Sequence, residues 1–257
     1  MTALHAEWTK LRTLAGPAWL LTATVVLTVA VSAATAAATR CPAGLACPVD
    51  PARLSLTGVQ LGQAAAAILA AGLITNEYST GMIRTTFTAM PRRLTVLGVK
   101  AALLTGAVLA AGTLAALGSL AAGRLILPSH GFTAARGFPA LSLADGSVLR
   151  ATLGSALYLA LIALLSLGIA TAVRDPAAAI AIILSLLYLV PVVAHVLAPD
   201  WYRHLEQAGP MTAGLAIQAT TGLRHLPISP WAGLGVLAAW AAGALLAGAL
   251  LLRLRDA

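Results

Sequence analysis

Charge is what this chain has least of. Only 9% of its 257 residues are Asp, Glu, Lys or Arg, while 60% are hydrophobic. That excludes a water-soluble fold, because so little polar side chain cannot cover so much apolar surface, and lipid has to cover it instead. Lysine occurs twice, as Lys10 after Thr9 and Lys100 after Val99. Neither stands in a Gly-Lys-Ser/Thr turn, so the chain holds no phosphate loop of that kind. Cysteine also occurs only twice, with no His or carboxylate at ligand spacing beside either residue, which argues against a metal site. The net charge of +8 comes from Lys and Arg scattered near the ends of apolar stretches. They form no stripe or run, so they read as topology signals and not as a nucleic-acid surface. There is no soluble domain, low-complexity linker or convincing internal repeat; residues 1–257 read as one membrane domain.

What the chain does have is long apolar runs. A bilayer core about 30 Å thick needs about 20 apolar residues per helix. Six stretches reach that length without an Asp, Glu, Lys or Arg: Gly16 to Ala38, Ser55 to Thr75, Ala101 to Ala122, Ala151 to Val173, Ala177 to Ala198 and Trp231 to Leu252. The fifth carries twelve Ile, Leu or Val residues; at roughly −0.3 to −0.6 kcal/mol each, these outweigh the cost of Ser185, Pro191 and His195. His195 reads as a satisfied interfacial residue in preference to a proton relay. Ala34 to Ala38 resembles a small-residue cleavage site, but the run before it exceeds the 7 to 15 residues of a signal-peptide core, so it is read as a span. The expected fold class is an all-α integral membrane protein with six spans.

Placing both termini in the cytoplasm puts Lys10, Arg12, Arg84, Arg92, Arg93, Lys100, Arg174, Arg253 and Arg255 inside, nine of the sixteen basic residues, on the shorter total length of segment. That is the bias expected for an N-in, C-in chain. Cys41 and Cys47 then share the first external loop, where a small-loop disulfide and two free thiols both fit.

Several shorter features organise the rest. Before the first span, Leu4, Trp8, Leu11 and Ala15 recur at helical spacing while Glu7, Lys10 and Arg12 fall elsewhere, predicting an amphipathic helix on the membrane surface. Only Arg174, Asp175 and Pro176 separate the fourth and fifth spans, with Asp175 placed as an N-cap and Pro176 as the first helical residue of a tight hairpin. Met211 to Thr220, opened by Gly209 and Pro210, is apolar but too short to cross a bilayer. It fits a re-entrant or interfacial helix, or a surface loop, as does the stretch that begins with Gly123 to Leu127.

The most informative segment lies between the second and third spans, Asn76 to Arg93. Met82, Ile83, Thr86, Phe87 and Met90 cover one helical face opposite Arg84 and Thr88, and Pro91 ends the pattern. Gly81 would cost about 1 kcal/mol inside a helix, so a break is expected there, separating the second span from a short surface helix. Such a helix gives a soluble partner something firm to grip.

Here Glu77-Tyr78, Gly81, Ile83-Arg84, Pro91-Arg92 and Lys100 resemble the cytoplasmic signature of type-two ATP-binding-cassette exporter permeases. The run Glu7-Trp8-Thr9-Lys10-Leu11-Arg12-Thr13 resembles their surface connecting helix. Each motif is loose; the specificity lies in their order along nearly the whole chain. The resemblance implies a dimer of membrane domains, identical or not, carrying two ATP-binding-cassette ATPase subunits. Glu77, Tyr78, Gly81, Met82, Ile83, Arg84, Phe87, Pro91 and Arg92 would form the coupling helix. ATP and Mg would then belong to the partner ATPase, this chain would carry no cofactor and no catalytic residue, and its place would be a bacterial cytoplasmic membrane.

The second span is the least lipid-like. Thr57, Gln60 and Gln63 cluster on one side, and Gly58, Gly62, Ala66 and Ala70 repeat every four residues on another. The small residues would let a neighbouring helix approach closely. The amides would either line a polar export pathway or bond across helices, since leaving them in hydrocarbon is costly. Spans free of charge favour a hydrophobic or amphipathic cargo. An ion-coupled secondary transporter would ordinarily carry Asp, Glu or Lys at mid-membrane, and an intramembrane enzyme would need a nucleophile beside a base, which Ser155, Ser166 and Ser185 lack. A non-transporting membrane anchor or sensor is the remaining alternative.

Overall fold

The structure, a computed structural model, describes residues 9, 15–42, 47, 49–82, 93–138, 140–197 and 206–254. The order of elements is α1 (Ala15–Ala38), α2 (Pro51–Ser55), α3 (Val59–Ser79), α4 (Arg93–Ile126), α5 (Gly146–Val173), α6 (Pro176–Leu184), a π turn (Ser185–Leu189), α7 (Val190–Leu197), α8 (Pro210–Gly214) and α9 (Pro230–Leu254). Among the described residues there is no strand. Six helices are long and apolar enough to cross a membrane, α6, the π turn and α7 together making the fifth. The chain is an all-α, six-span membrane protein. The start of α1, the end of α3, the α5–α6 hairpin and the end of α9 share one end of the bundle, here the terminal face. The opposite end carries the disulfide between Cys41 and Cys47 and is the disulfide face.

The helices outrun the apolar stretches from which they were read, which corrects several boundaries. α4 begins at Arg93, not Ala101, and continues to Ile126, so it contains Lys100 and Arg124. α3 extends to Ser79 and takes in Glu77, and α5 starts at Gly146, ahead of Arg150, because Asp145 caps it by accepting from the Ser147 N–H at 2.9 Å. The i to i−4 ladder does not stop where hydrocarbon stops. At its other end, the second apolar run is interrupted. Asp50 accepts from the N–H groups of Ala52 and Arg53 at 3.1 Å each, Pro51 occupies the first turn, and Pro51–Ser55 becomes a separate short helix before α3.

α3 and α5 form the centre. α5 packs on α3, α4 and α9, and α1 packs on α3 and α4. Close approach depends on small residues. A Cβ on Gly58 would lie 1.9 Å from the Thr28 carbonyl oxygen, and one on Gly62 would lie 1.9 Å from Thr28 Oγ1. Ser32 Oγ accepts from the Gly58 N–H at 3.0 Å. Gly58 and Gly62 of the small-residue stripe are therefore the seam against α1. In the fifth span Pro191 has no N–H to give the carbonyl one turn back, and the helix widens just before it into the π turn.

The hairpin is built as expected: Arg174 ends α5 in the left-handed region (φ 67°), and Asp175 accepts from the Ala178 N–H at 2.7 Å with Pro176 next in line. The segment opened by Gly209 and Pro210 is not a surface loop. Pro210, Ala213 and Gly214 of α8 and the following 3-10 turn Leu215–Gln218 are buried against α5 and α9. After α4, a 3-10 turn (Leu127–His130) leads into a loop in which Phe132 and Phe138 meet edge to face, 5.1 Å between centroids.

Candidate functional site

The terminal end of the bundle holds a buried ion pair that follows from helical periodicity. On α3 the buried face runs Ala66, Ala70, Ile74 and on to Glu77; on α4 it runs Leu97, Lys100, Leu104, Val108. Each charge occupies the next position of a core stripe. Lys100 Nζ donates to Glu77 Oε1 at 2.7 Å and to the Leu73 carbonyl at 3.2 Å, with the two side chains 2% and 6% exposed. The expectation of six charge-free spans therefore holds for the apolar runs but not for the helices.

The neighbouring residue extends this fastening to two further spans. Arg174 lies with its guanidinium carbon 5.2 Å from the centroid of the Tyr78 ring, a cation–π arrangement. Its Nη2 donates to the Leu251 carbonyl near the end of α9 at 3.2 Å. Glu77 and Tyr78 thus tie the end of α3 to α4, to the α5–α6 hairpin and to α9. Immediately beyond, the Gly81 N–H donates to the Tyr78 carbonyl at 3.2 Å and Gly81 turns into the left-handed region at φ 72°. The break expected at Gly81 is present, and Met82 after it is exposed. Ile83, Arg84, Phe87, Pro91 and Arg92 lie outside the described residues, as do Glu7, Trp8, Lys10 and Arg12 of the N-terminal segment.

Of the residues read as a pathway, the structure bonds all three to other helices and places Thr57 at a cleft as well. Gln63 is fully buried: its Oε1 accepts from the Tyr158 hydroxyl of α5, and its Nε2 donates to Met211 Sδ at 3.3 Å. Gln60 is exposed, and its backbone carbonyl accepts from the hydroxyl of Tyr188 on the π turn. Thr57 hydrogen-bonds Thr35 on α1 at 2.7 Å and lines a cleft of about 450 Å³ on the disulfide face with Asp50, Arg53, Thr221 and His225. Gln63 therefore bonds across helices, one of the two roles open to it, while Thr57 borders this cleft.

The disulfide half contains partners that hydropathy did not disclose. Gln218 Nε2 donates to Ser155 Oγ at 3.1 Å and to the Leu56 carbonyl at 3.4 Å, so Ser155 meets an amide donor of the tucked-in segment. Asp50 accepts from Thr220 Oγ1 at 2.7 Å and from the N–H groups of Thr220 and Thr221 at 2.5 and 3.0 Å. That joins the first loop of this face to the last. The one available signal was Gln218 itself, a lone amide in an otherwise apolar run. Cys41 and Cys47 form a disulfide, which resolves the alternatives left by their spacing.

The terminal face thus offers a helix end fastened to its neighbours and an exposed Met82 just beyond it. Comparison of the chain with protein-family models, with curated proteins and with solved structures finds no match.

Proposed function

We propose that the chain is the membrane subunit of an exporter, moving a hydrophobic or amphipathic substrate with energy from ATP hydrolysed on a separate subunit. The observation that carries this reading is the end of α3. A helix anchored by the buried Glu77–Lys100 pair and by Tyr78 under Arg174 is followed at once by a left-handed Gly81 and an exposed Met82. A foot gripped by a soluble partner transmits force only if its root does not yield, and this root is fastened to three other helices. The order of the sequence features that resemble type-two ATP-binding-cassette permeases supports the same reading, and with no phosphate loop on this chain the ATP site of such an exporter would lie on the partner. In this reading the terminal face is cytoplasmic. Disulfides persist in oxidising compartments, and Cys41–Cys47 sits at the opposite end. Two copies, or this chain and a related one, would assemble with two ATPase subunits in a cell membrane.

The test uses a single introduced thiol. The native cysteines are bonded to each other, so Met82→Cys supplies a reactive probe. It should resist a membrane-impermeant thiol reagent in intact cells, react after permeabilisation, and crosslink to a co-purifying soluble ATPase. Labelling from outside the cell, or gentle purification without any nucleotide hydrolase attached, would overturn the proposal.

A further inference from the structure

On the disulfide face, a cleft of about 500 Å³ is lined by Arg40, Cys41, Pro42, Ser129, His130, Gly131 and Arg136. Two arginines and a histidine are among its lining residues, and no carboxylate is among the described ones. One of the two cations is held in place. Arg136 Nη1 donates to the Cys41 carbonyl at 2.8 Å and to the Gly131 carbonyl at 3.5 Å. Cys41 is itself clamped three ways: its N–H donates to the His130 carbonyl at 2.9 Å, its carbonyl receives Arg136, and its sulfur is bonded to Cys47. Gly131 has φ 97°, and a Cβ there would lie 2.4 Å from the Cys41 oxygen and 2.7 Å from Arg136 Nη1. Only glycine permits so close a meeting of the two loops. Arg40, next in sequence to the clamp, is exposed and has no hydrogen-bond partner among the described residues.

Backbone carbonyls thus hold the Arg136 guanidinium at a cleft that Arg40 also lines, with no carboxylate among the described lining residues. Arginine's planar fork suits phosphate oxygens better than any other side chain does. α1 ends at Ala38 and α4 at Ile126, so the cleft lies where two membrane-spanning helices end, the depth expected for lipid headgroups. Clustered basic side chains at a membrane surface attract anionic headgroups through their charge.

We propose that Arg40 and Arg136, with His130 beside them, form a binding site for a phosphate-bearing anion on the disulfide face. The phosphate is supplied either by an anionic phospholipid of that leaflet or by a small free phosphate ester. The inference is independent of the exporter reading.

The whole purified chain in detergent would be titrated, by native mass spectrometry, with phosphatidylglycerol, phosphatidylcholine and glycerol 3-phosphate in separate arms. The expected result is one tightly retained phosphatidylglycerol per chain and weaker retention of phosphatidylcholine. Arg40→Gln should bind about tenfold more weakly, the loss expected for one charge-assisted contact, whereas Arg40→Lys should recover part of it. Arg40→Gln breaks no bond of the described structure, so its melting temperature should match that of the wild type. Glycerol 3-phosphate binding with the same dependence on Arg40 would support the site and identify the free ester as its source. No saturable binding in any arm, or an equal loss in Arg253→Gln at the terminal face, would overturn the proposal.

Discussion

The buried pair between Glu77 and Lys100 makes the sharpest prediction. At 2.7 Å and an effective dielectric of about 20, the Coulomb attraction is roughly 6 kcal/mol. Removing two ions from water costs several kcal/mol apiece, so the pair as a whole contributes close to nothing to stability. Breaking it is different: Glu77→Gln or Lys100→Met alone leaves a charge buried without its counter-ion and should cost ~3–5 kcal/mol. The double variant Glu77→Leu with Lys100→Met fills the same space with apolar atoms and should fall within about 1 kcal/mol of the wild type, giving a coupling energy of roughly 5 kcal/mol or more. The assay is unfolding of the purified chain in mixed micelles titrated with dodecyl sulfate, followed by circular dichroism. Single variants within ~1 kcal/mol of the wild type would refute burial of the pair, and a double variant as unstable as the sum of the singles would refute their interaction. In the proposed exporter, the stable double variant also separates fold from function. It should assemble with its ATPase and still transport poorly if the ion pair stiffens the root of the foot.

Other contacts give four more expected outcomes. Gly58→Ala places a methyl 1.9 Å from the Thr28 carbonyl and should destabilise by ~1–3 kcal/mol through displacement of α1. Gly98→Ala, with nothing within 4 Å of its Cβ, should be neutral or slightly stabilising in the same titration. Tyr158→Phe takes away the hydroxyl that Gln63 accepts from and should cost ~1–3 kcal/mol; adding Gln63→Leu should restore most of that. No restoration would mean that Gln63 has another partner to satisfy. Asp50→Ala removes the cap of α2 and the three bonds to Thr220 and Thr221. Amide exchange should rise at Ala52, Arg53, Thr220 and Thr221 while α5 stays protected, and unchanged exchange at Thr220 would show that the two loops are not joined.

Reading the sequence located all six spans, the Asp175–Pro176 hairpin, the break at Gly81 and the close face made by Gly58 and Gly62. These rest on local chemistry. Transfer of a twenty-residue run into lipid, the missing donor of Pro176 and the positive φ open to Gly81 depend little on what lies elsewhere in the chain. Where local signals misled, the cause was that hydropathy stops at the first charge while a helix does not, so Glu77 and Lys100 read as loop residues although they stand on core stripes.

What the tertiary structure alone decided is which polar groups meet. Glu77 finds Lys100, Gln63 finds Tyr158, Gln218 finds Ser155, and Asp50 finds Thr220 across 170 positions of sequence. The tucking of Pro210–Gln218 against α5 and α9 was decided the same way. Each meeting is set by the rotation and crossing of helices, which depend on how small residues on two different helices nest together. A single stretch of sequence states which face is small or polar; only the packed bundle determines what that face is turned against.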